Sequence, residues 1–288
     1  MVVEVRTAAV NTRVVADDDM SDFTREEVEF DGKTRTVFRI GEGPAVIVIA
    51  EIPGITPKVL EFARRLPALG CTAVLPHLFG VPGRDSSLQQ RGWPGYLWSV
   101  ASSMGPACVS REFTVWALGK SSPVVGWLRQ LAAREYQRCG GPGVGVVGMC
   151  FTGGYALAMA VDDIVVAPVL SQPSMPAPLT PSRRRSIDIS PTDLARVKER
   201  CDDGLQVMGL RFCGDRAVPA ERFAFLREQL GDAFIGIELD DAAANPDPPM
   251  PPHAVLTEHL IDEPGQPTRD ALDRVLDFFS AKLVDSAT

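Results

Sequence analysis

The strongest constraint on the fold is a set of six short, dominantly apolar runs at 45–50, 72–75, 144–147, 164–170, 205–212 and 234–239. Continuous apolar stretches, rather than alternation, suit strands buried on both faces. Helical spacing fills the intervals. The stretch 57–69 sets Val59, Leu60, Phe62, Ala63 and Leu66 on one side, and 124–136, 153–161, 192–201, 219–230 and 268–283 behave alike. Strand alternating with helix predicts one doubly wound α/β domain around a mainly parallel sheet. Ahead of it, 28–30 and 34–40 alternate around Asp31-Gly32 and read as a β-hairpin.

No internal repeat or domain linker divides the chain. Residues 1–26, with the run Asp17-Asp18-Asp19, are expected to form an acidic, exposed arm, and 27–288 the single domain. Two irregular stretches, 80–122 and the proline-rich 245–252, are expected to lie over a site, the first as a long loop or cap. The net charge of -8 argues against a nucleic-acid or anionic-membrane partner, since both require basic patches. The first thirty residues hold no apolar signal segment, and no apolar run reaches spanning length. A cytoplasmic protein, a monomer or small homo-oligomer, is therefore expected, with its six cysteines reduced.

The segment 144–158 carries the most chemistry. A buried strand runs into Gly148, Cys150 follows two residues later, and an alanine-rich helix begins at Gly153-Gly154. This is the layout of a nucleophile elbow with cysteine in place of serine. So tight a turn needs small neighbours where backbones cross, and the helix start aims free N–H groups at the sulfur, favouring its thiolate. Cys71, Cys108, Cys139, Cys201 and Cys213 lack this context and read as structural.

A thiol nucleophile needs a base, and the base an orienting group. Three histidines are available, His77, His253 and His259. His253, after the last strand, is the expected base; His259 is the alternative, and His77 reads as a loop-forming residue. Asp215 stands three residues past the run 205–212, ahead of a helix, which fits either the orienting acid or a turn carboxylate. The order Cys150, Asp215, His253 is nucleophile, acid, base, the chain order of α/β-hydrolases.

These residues make the chain resemble the dienelactone hydrolase family, α/β-hydrolases with a cysteine nucleophile. Ile47-Val48-Ile49-Ala50-Glu51-Ile52-Pro53-Gly54 is similar to that family's first buried strand with its glutamate, and Ala73-Val74-Leu75-Pro76-His77 to a following strand and turn. Gly214-Asp215 and His253-Ala254-Val255 match its acid and histidine segments. The resemblance implies that Glu51 holds and activates the resting thiol, and that the N–H groups of Ile52 and Phe151 form the oxyanion hole. It implies no cofactor, and no Cys/His cluster has zinc-ligand spacing.

Three departures stand beside it. Thr152 occupies the position two after the nucleophile, where the family usually has glycine. The family holds a substrate carboxylate with two arginines; Arg84 could match the first, but Thr257 stands at the second. The segment 80–122, with Trp93, Tyr96, Trp98 and Trp116, is long, and Trp93 and Trp98 are candidates to wall a roomier pocket. The expected activity is hydrolysis of a neutral small-molecule ester or lactone through a thioester. The alternatives are an amidotransferase-like or DJ-1-like cysteine protein, or a non-catalytic redox or ligand-binding module.

Overall fold

A computed structural model describes residues 17–87, 91–95, 97–99, 101–102, 113 and 119–285. The hairpin comprises β1 (Thr24–Phe30) and β2 (Lys33–Ile40). Its Asp31-Gly32 turn has both residues at positive φ, 52° and 73°, as a two-residue turn matched to strand twist requires. β1 starts at Thr24, four residues before the alternation becomes visible, because Thr24–Glu27 is polar and largely exposed.

The apolar runs become β3 (Ala45–Ile49), β4 (Thr72–Pro76), β5 (Val144–Met149), β6 (Val165–Ser171), β7 (Val207–Phe212) and β8 (Phe234–Leu239). The eight strands form one sheet in the order β1-β2-β4-β3-β5-β6-β7-β8, antiparallel through β1, β2 and β4 and parallel from β4 to β8.

Helices cover both faces, which explains the continuous apolar runs. Ile47, Ile49, Val144 and Val146 meet α2 (Val124–Cys139), α3 (Gly153–Met159), α5 (Pro191–Asp202) and α6 (Ala220–Leu230) in one core layer. Val46, Val48, Val147 and Met149 face the other way, into a layer with α1 (Pro57–Ala63) and α7 (Pro267–Leu283). A short α4 (Pro181–Arg184) precedes α5. Helix starts follow sequence chemistry: Thr56 before Pro57 and Ser190 before Pro191 each cap the third residue on. The predicted helix 57–69 stops at Ala63 and resumes as a 3-10 turn, Leu66–Leu69. Pro67 lacks the N–H that an unbroken helix would need there.

One buried ion pair bolts the hairpin to the body. Arg39 donates from Nε and Nη2 to Glu135 of α2 at 3.0 and 2.6 Å, with both side chains out of solvent. The acidic segment, expected as an exposed arm, is fastened over its described part. Met20 and Phe23 are buried, Asp18 and Asp22 both accept from Arg64, and the Asp18 N–H donates to the Gly83 carbonyl. Within 80–122, read from sequence as irregular, the described residues of 91–102 are helical. Tyr96, Cys108 and Trp116 lie outside the described residues.

Candidate active site

Cys150 sits where β5 turns into a 3-10 turn, Cys150–Thr152, that runs straight into α3. Its φ is +52°, in the left-handed region that side chains rarely occupy. The turn closes only because its neighbours are small. A β-carbon on Gly148 would stand 2.2 Å from the Thr152 carbonyl, and one on Gly153 would stand 2.5 Å from Pro173 Cα. Thr152 is fully buried; its hydroxyl accepts from the Met149 N–H at 3.0 Å and donates to the Ile49 carbonyl at 2.8 Å. The threonine that departs from the usual glycine therefore laces the elbow to the end of β3, where Glu51 and Ile52 follow.

Asp215 leaves the end of β7 on a braced loop. Arg211 donates to the Val218 carbonyl at 2.6 Å, and the Gly214 N–H donates to Asp241 at 2.7 Å. Asp215 is buried and serves in both readings made of it. Oδ1 accepts from the Ala217 N–H at 2.8 Å as a turn carboxylate, while Oδ2 lies 2.7 Å from His253 Nδ1. On its other side, the Cys150 sulfur acts on the His253 imidazole and favours its protonated form. Burial disfavours a charged His253, but the Cys150 sulfur and the Asp215 carboxylate outweigh it and hold the imidazole pKa well above its ordinary range.

His259 is buried and organises the loop instead. Its Nδ1 accepts from the Ala254 N–H at 3.2 Å and lies 3.4 Å from the His253 N–H, and its Nε2 donates to the Met250 carbonyl at 3.2 Å. The hydrogen-bond pattern assigns the neutral tautomer, and burial lowers its pKa. His77 bonds the Gly80 carbonyl at 3.0 Å and shapes its own turn.

Glu51 is buried, but its partners differ from those the resemblance implied. Gln172 Nε2 donates to it at 3.1 Å and the Thr257 hydroxyl donates to its other oxygen. Burial raises its pKa, against those two donors and the nearby His253. Thr257 thus ends on Glu51 rather than facing a substrate. The hydroxyl beside the Cys150 sulfur, at 3.4 Å, belongs to Ser174.

Arg84 and Trp98 meet elsewhere, in a cleft of about 100 Å³ shared with Arg91, Val81 and Gly95, and none of Cys150, Asp215 and His253 lines it. Trp93 and Trp98 are 57% and 75% exposed. Phe151 packs instead in a cluster with Phe79, Phe113 and Tyr155. The sequence reading missed Gln172, Ser174 and Arg222. The first two follow the end of β6 directly, a rim position that could have drawn notice. The fully buried Arg222 donates to the carbonyls of Pro173, Pro176, Arg183, Ser186 and Ala217, and looks from sequence like any helical surface arginine.

Among the described residues, the other cysteines carry no such constellation. Burial pushes the Cys71 and Cys201 thiols up to about 11, and the described cysteines are unpaired. Among the described residues no helix is long and apolar enough to cross a membrane.

The mostly parallel sheet with an elbow at the end of its fifth strand defines an α/β-hydrolase. The dienelactone hydrolase family model matches residues 35–183, just over half of the chain, and the protein belongs to that family of hydrolases. The matched segment includes Glu51 and Cys150 and ends before Asp215 and His253. Among solved structures, the chain is similar to a putative dienelactone hydrolase from Klebsiella pneumoniae at 16% identity and a TM-score of 0.55, covering 90% of this chain and 98% of that one. A dienelactone hydrolase-like promiscuous phosphotriesterase from metagenomic libraries gives 16% and 0.52, covering 91% and 99%. A 2,6-dihydroxy-pseudo-oxynicotine hydrolase gives 16% and 0.53, covering 92% and 69%. At these identities the likeness is one of fold. No curated protein matches the chain.

Proposed function

We propose that the protein hydrolyses a neutral carboxylic ester or lactone through a Cys150-His253-Asp215 triad. The observation that carries this reading is the His253 ring, 2.7 Å from Asp215 and under the influence of the Cys150 sulfur, which stands at a strained elbow. The Cys150 proton passes to His253, whose imidazolium Asp215 orients and stabilises. The thiolate attacks the carbonyl carbon, and the N–H groups of Ile52 and Phe151 receive the oxyanion. Collapse expels the alkoxide, which takes the proton from His253 and leaves a thioester. Neutral His253 then removes a proton from water, and the hydroxide attacks the thioester. The second collapse releases the carboxylic acid and regenerates the thiolate and imidazolium.

A neutral substrate is supported by the two positions where a carboxylate would be held. Thr257 replaces the second arginine and is held by Glu51, and Arg84 lies in the separate cleft with Trp98. We place the protein in the cytoplasm, where Cys150 remains reduced. The test is a panel of uncharged lactones, aryl esters and thioesters, with carboxylate-bearing analogues, on wild type and Cys150→Ala. Turnover confined to wild type and strongest for uncharged substrates is expected. Wild-type turnover by Cys150→Ala would refute the nucleophile, and a clear preference for anionic substrates would refute the substrate class.

A further inference from the structure

The segment Ser171-Gln172-Pro173-Ser174 leaves the end of β6, the strand between those that deliver Cys150 and Asp215. It is anchored at successive points. Gln172, at φ +36°, donates its N–H to the Leu210 carbonyl at 2.8 Å, and its side-chain oxygen lies 3.3 Å from the Val255 N–H. Pro173 fills the space against Gly153. Arg222 holds the Pro173 and Pro176 carbonyls at 2.7 and 2.5 Å, on either side of Ser174. Ser174 itself donates its N–H to the Cys150 carbonyl at 2.9 Å and holds Oγ 3.4 Å from Cys150 Sγ. A hydroxyl on so constrained a backbone stays in place when the sulfur changes charge.

Resting on the reading of Cys150 as nucleophile, we propose that Ser174 is a further catalytic residue, whose hydroxyl donates a hydrogen bond to the Cys150 sulfur while it is a thiolate. Once the thiol proton is on His253, the sulfur can only accept, so the bond runs from Ser174. A neutral hydroxyl suits this place where a carboxylate would repel the thiolate, and Glu51 is already engaged by Gln172 and Thr257. His253, from the loop after β8, acts on the sulfur with Asp215 behind it from β7, while Glu51 at the end of β3 is held by Gln172 and Thr257 and Arg222 of α6 by the carbonyls around Pro173. None of these supplies a neutral donor. When the thioester forms, the sulfur loses its charge and the hydrogen bond weakens, so the interaction favours attack and the return of the thiolate as leaving group.

The test is the rate of iodoacetamide alkylation of Cys150 against pH in wild type, Ser174→Ala and Ser174→Thr, with ester turnover and melting temperature measured on the same samples. Cys150→Ala provides the alkylation blank and the activity control. In Ser174→Ala the alkylation profile moves to higher pH by about one unit, and ester kcat/KM falls about tenfold, the scale of one charge-assisted hydrogen bond. Ser174→Thr, which keeps the hydroxyl, restores both. An unmoved profile in Ser174→Ala, a shift to lower pH, or failure of threonine to restore it would each overturn the proposal. If any of these occurs while Cys150→Ala is inactive, the role of Ser174 falls and that of Cys150 stands. Ester turnover by Cys150→Ala would remove the reading on which both rest.

Discussion

Replacing Thr152 by valine tests how the elbow is held. Valine keeps the shape of threonine and deletes only the hydroxyl, which accepts from the Met149 N–H and donates to the Ile49 carbonyl in a site without solvent. The Met149 N–H is then buried without that partner, at a cost of about 1–3 kcal/mol, and the lost bond to Ile49 adds about 1 kcal/mol. The sum is about 2–4 kcal/mol. For a domain of this size each kcal/mol moves the melting temperature by about 2–4 °C, so Thr152→Val should melt about 5–15 °C below wild type. Thr152→Ser keeps both bonds and loses one methyl, about 1 kcal/mol or about 2–4 °C. Scanning calorimetry of the three proteins at neutral pH checks the order. Volume-based packing predicts valine to be the milder change, so a valine variant melting at or above the serine variant would refute the hydrogen-bond argument. Ester turnover adds a second reading: the valine variant should lose kcat, because the hydroxyl also sets the elbow against the segment carrying Ile52.

Other consequences follow from the same geometry. Asp215→Asn should retain the fold and lower kcat/KM by about 10²–10⁴-fold, through loss of the group that orients His253, as steady-state kinetics will show. His259→Phe should lower the melting temperature by removing the acceptor for the Ala254 N–H, yet cost less activity than His253→Ala. Arg39→Met or Glu135→Leu alone should each destabilise the protein in urea unfolding by less than the about 3–5 kcal/mol of an isolated buried pair, because Glu135 keeps Arg138 and Arg39 keeps Glu26. Glu258 holds its proton to about pH 7 against an ordinary 4.5, first because its half-buried carboxyl is desolvated and next because Glu51 is close. The folded state therefore binds the extra proton, and this contribution is present below about 4.5 and lost as pH rises through 7. Melting curves should show Glu258→Gln gaining on wild type at pH 8 and matching it near pH 4.

The strands were legible because both sheet faces are covered, so β3, β4 and β5 contain little but apolar residues. β1 was legible only from Val28, since an exposed edge strand need not advertise itself. The elbow was visible in Gly148 and Gly153, where backbone atoms leave no room for a β-carbon, and in the cysteine set between them. Asp215 and His253 could be placed by chain order, but their 2.7 Å contact depends on the fold. What escaped were groups whose roles depend on distant partners. Arg39 lies 96 residues from Glu135, and Thr257 lies 206 residues from Glu51. Arg222 sits in an amphipathic helix among residues of identical local character, and only the carbonyls of remote loops distinguish it.

The sheet order also acts as a ruler. Cys150 and Asp215 leave strands two places apart, β5 and β7, with β6 between them. Two interstrand spacings amount to about 10 Å, a gap into which one imidazole fits, held to Asp215 at 2.7 Å. The span from Cys150 to Asp215 is thereby set by main-chain pairing, the least adjustable dimension of the fold. Histidine alone has to be brought in, on a loop whose length is free. Segments that carry no strand can lengthen or change composition while the distance between sulfur and carboxylate stays the same.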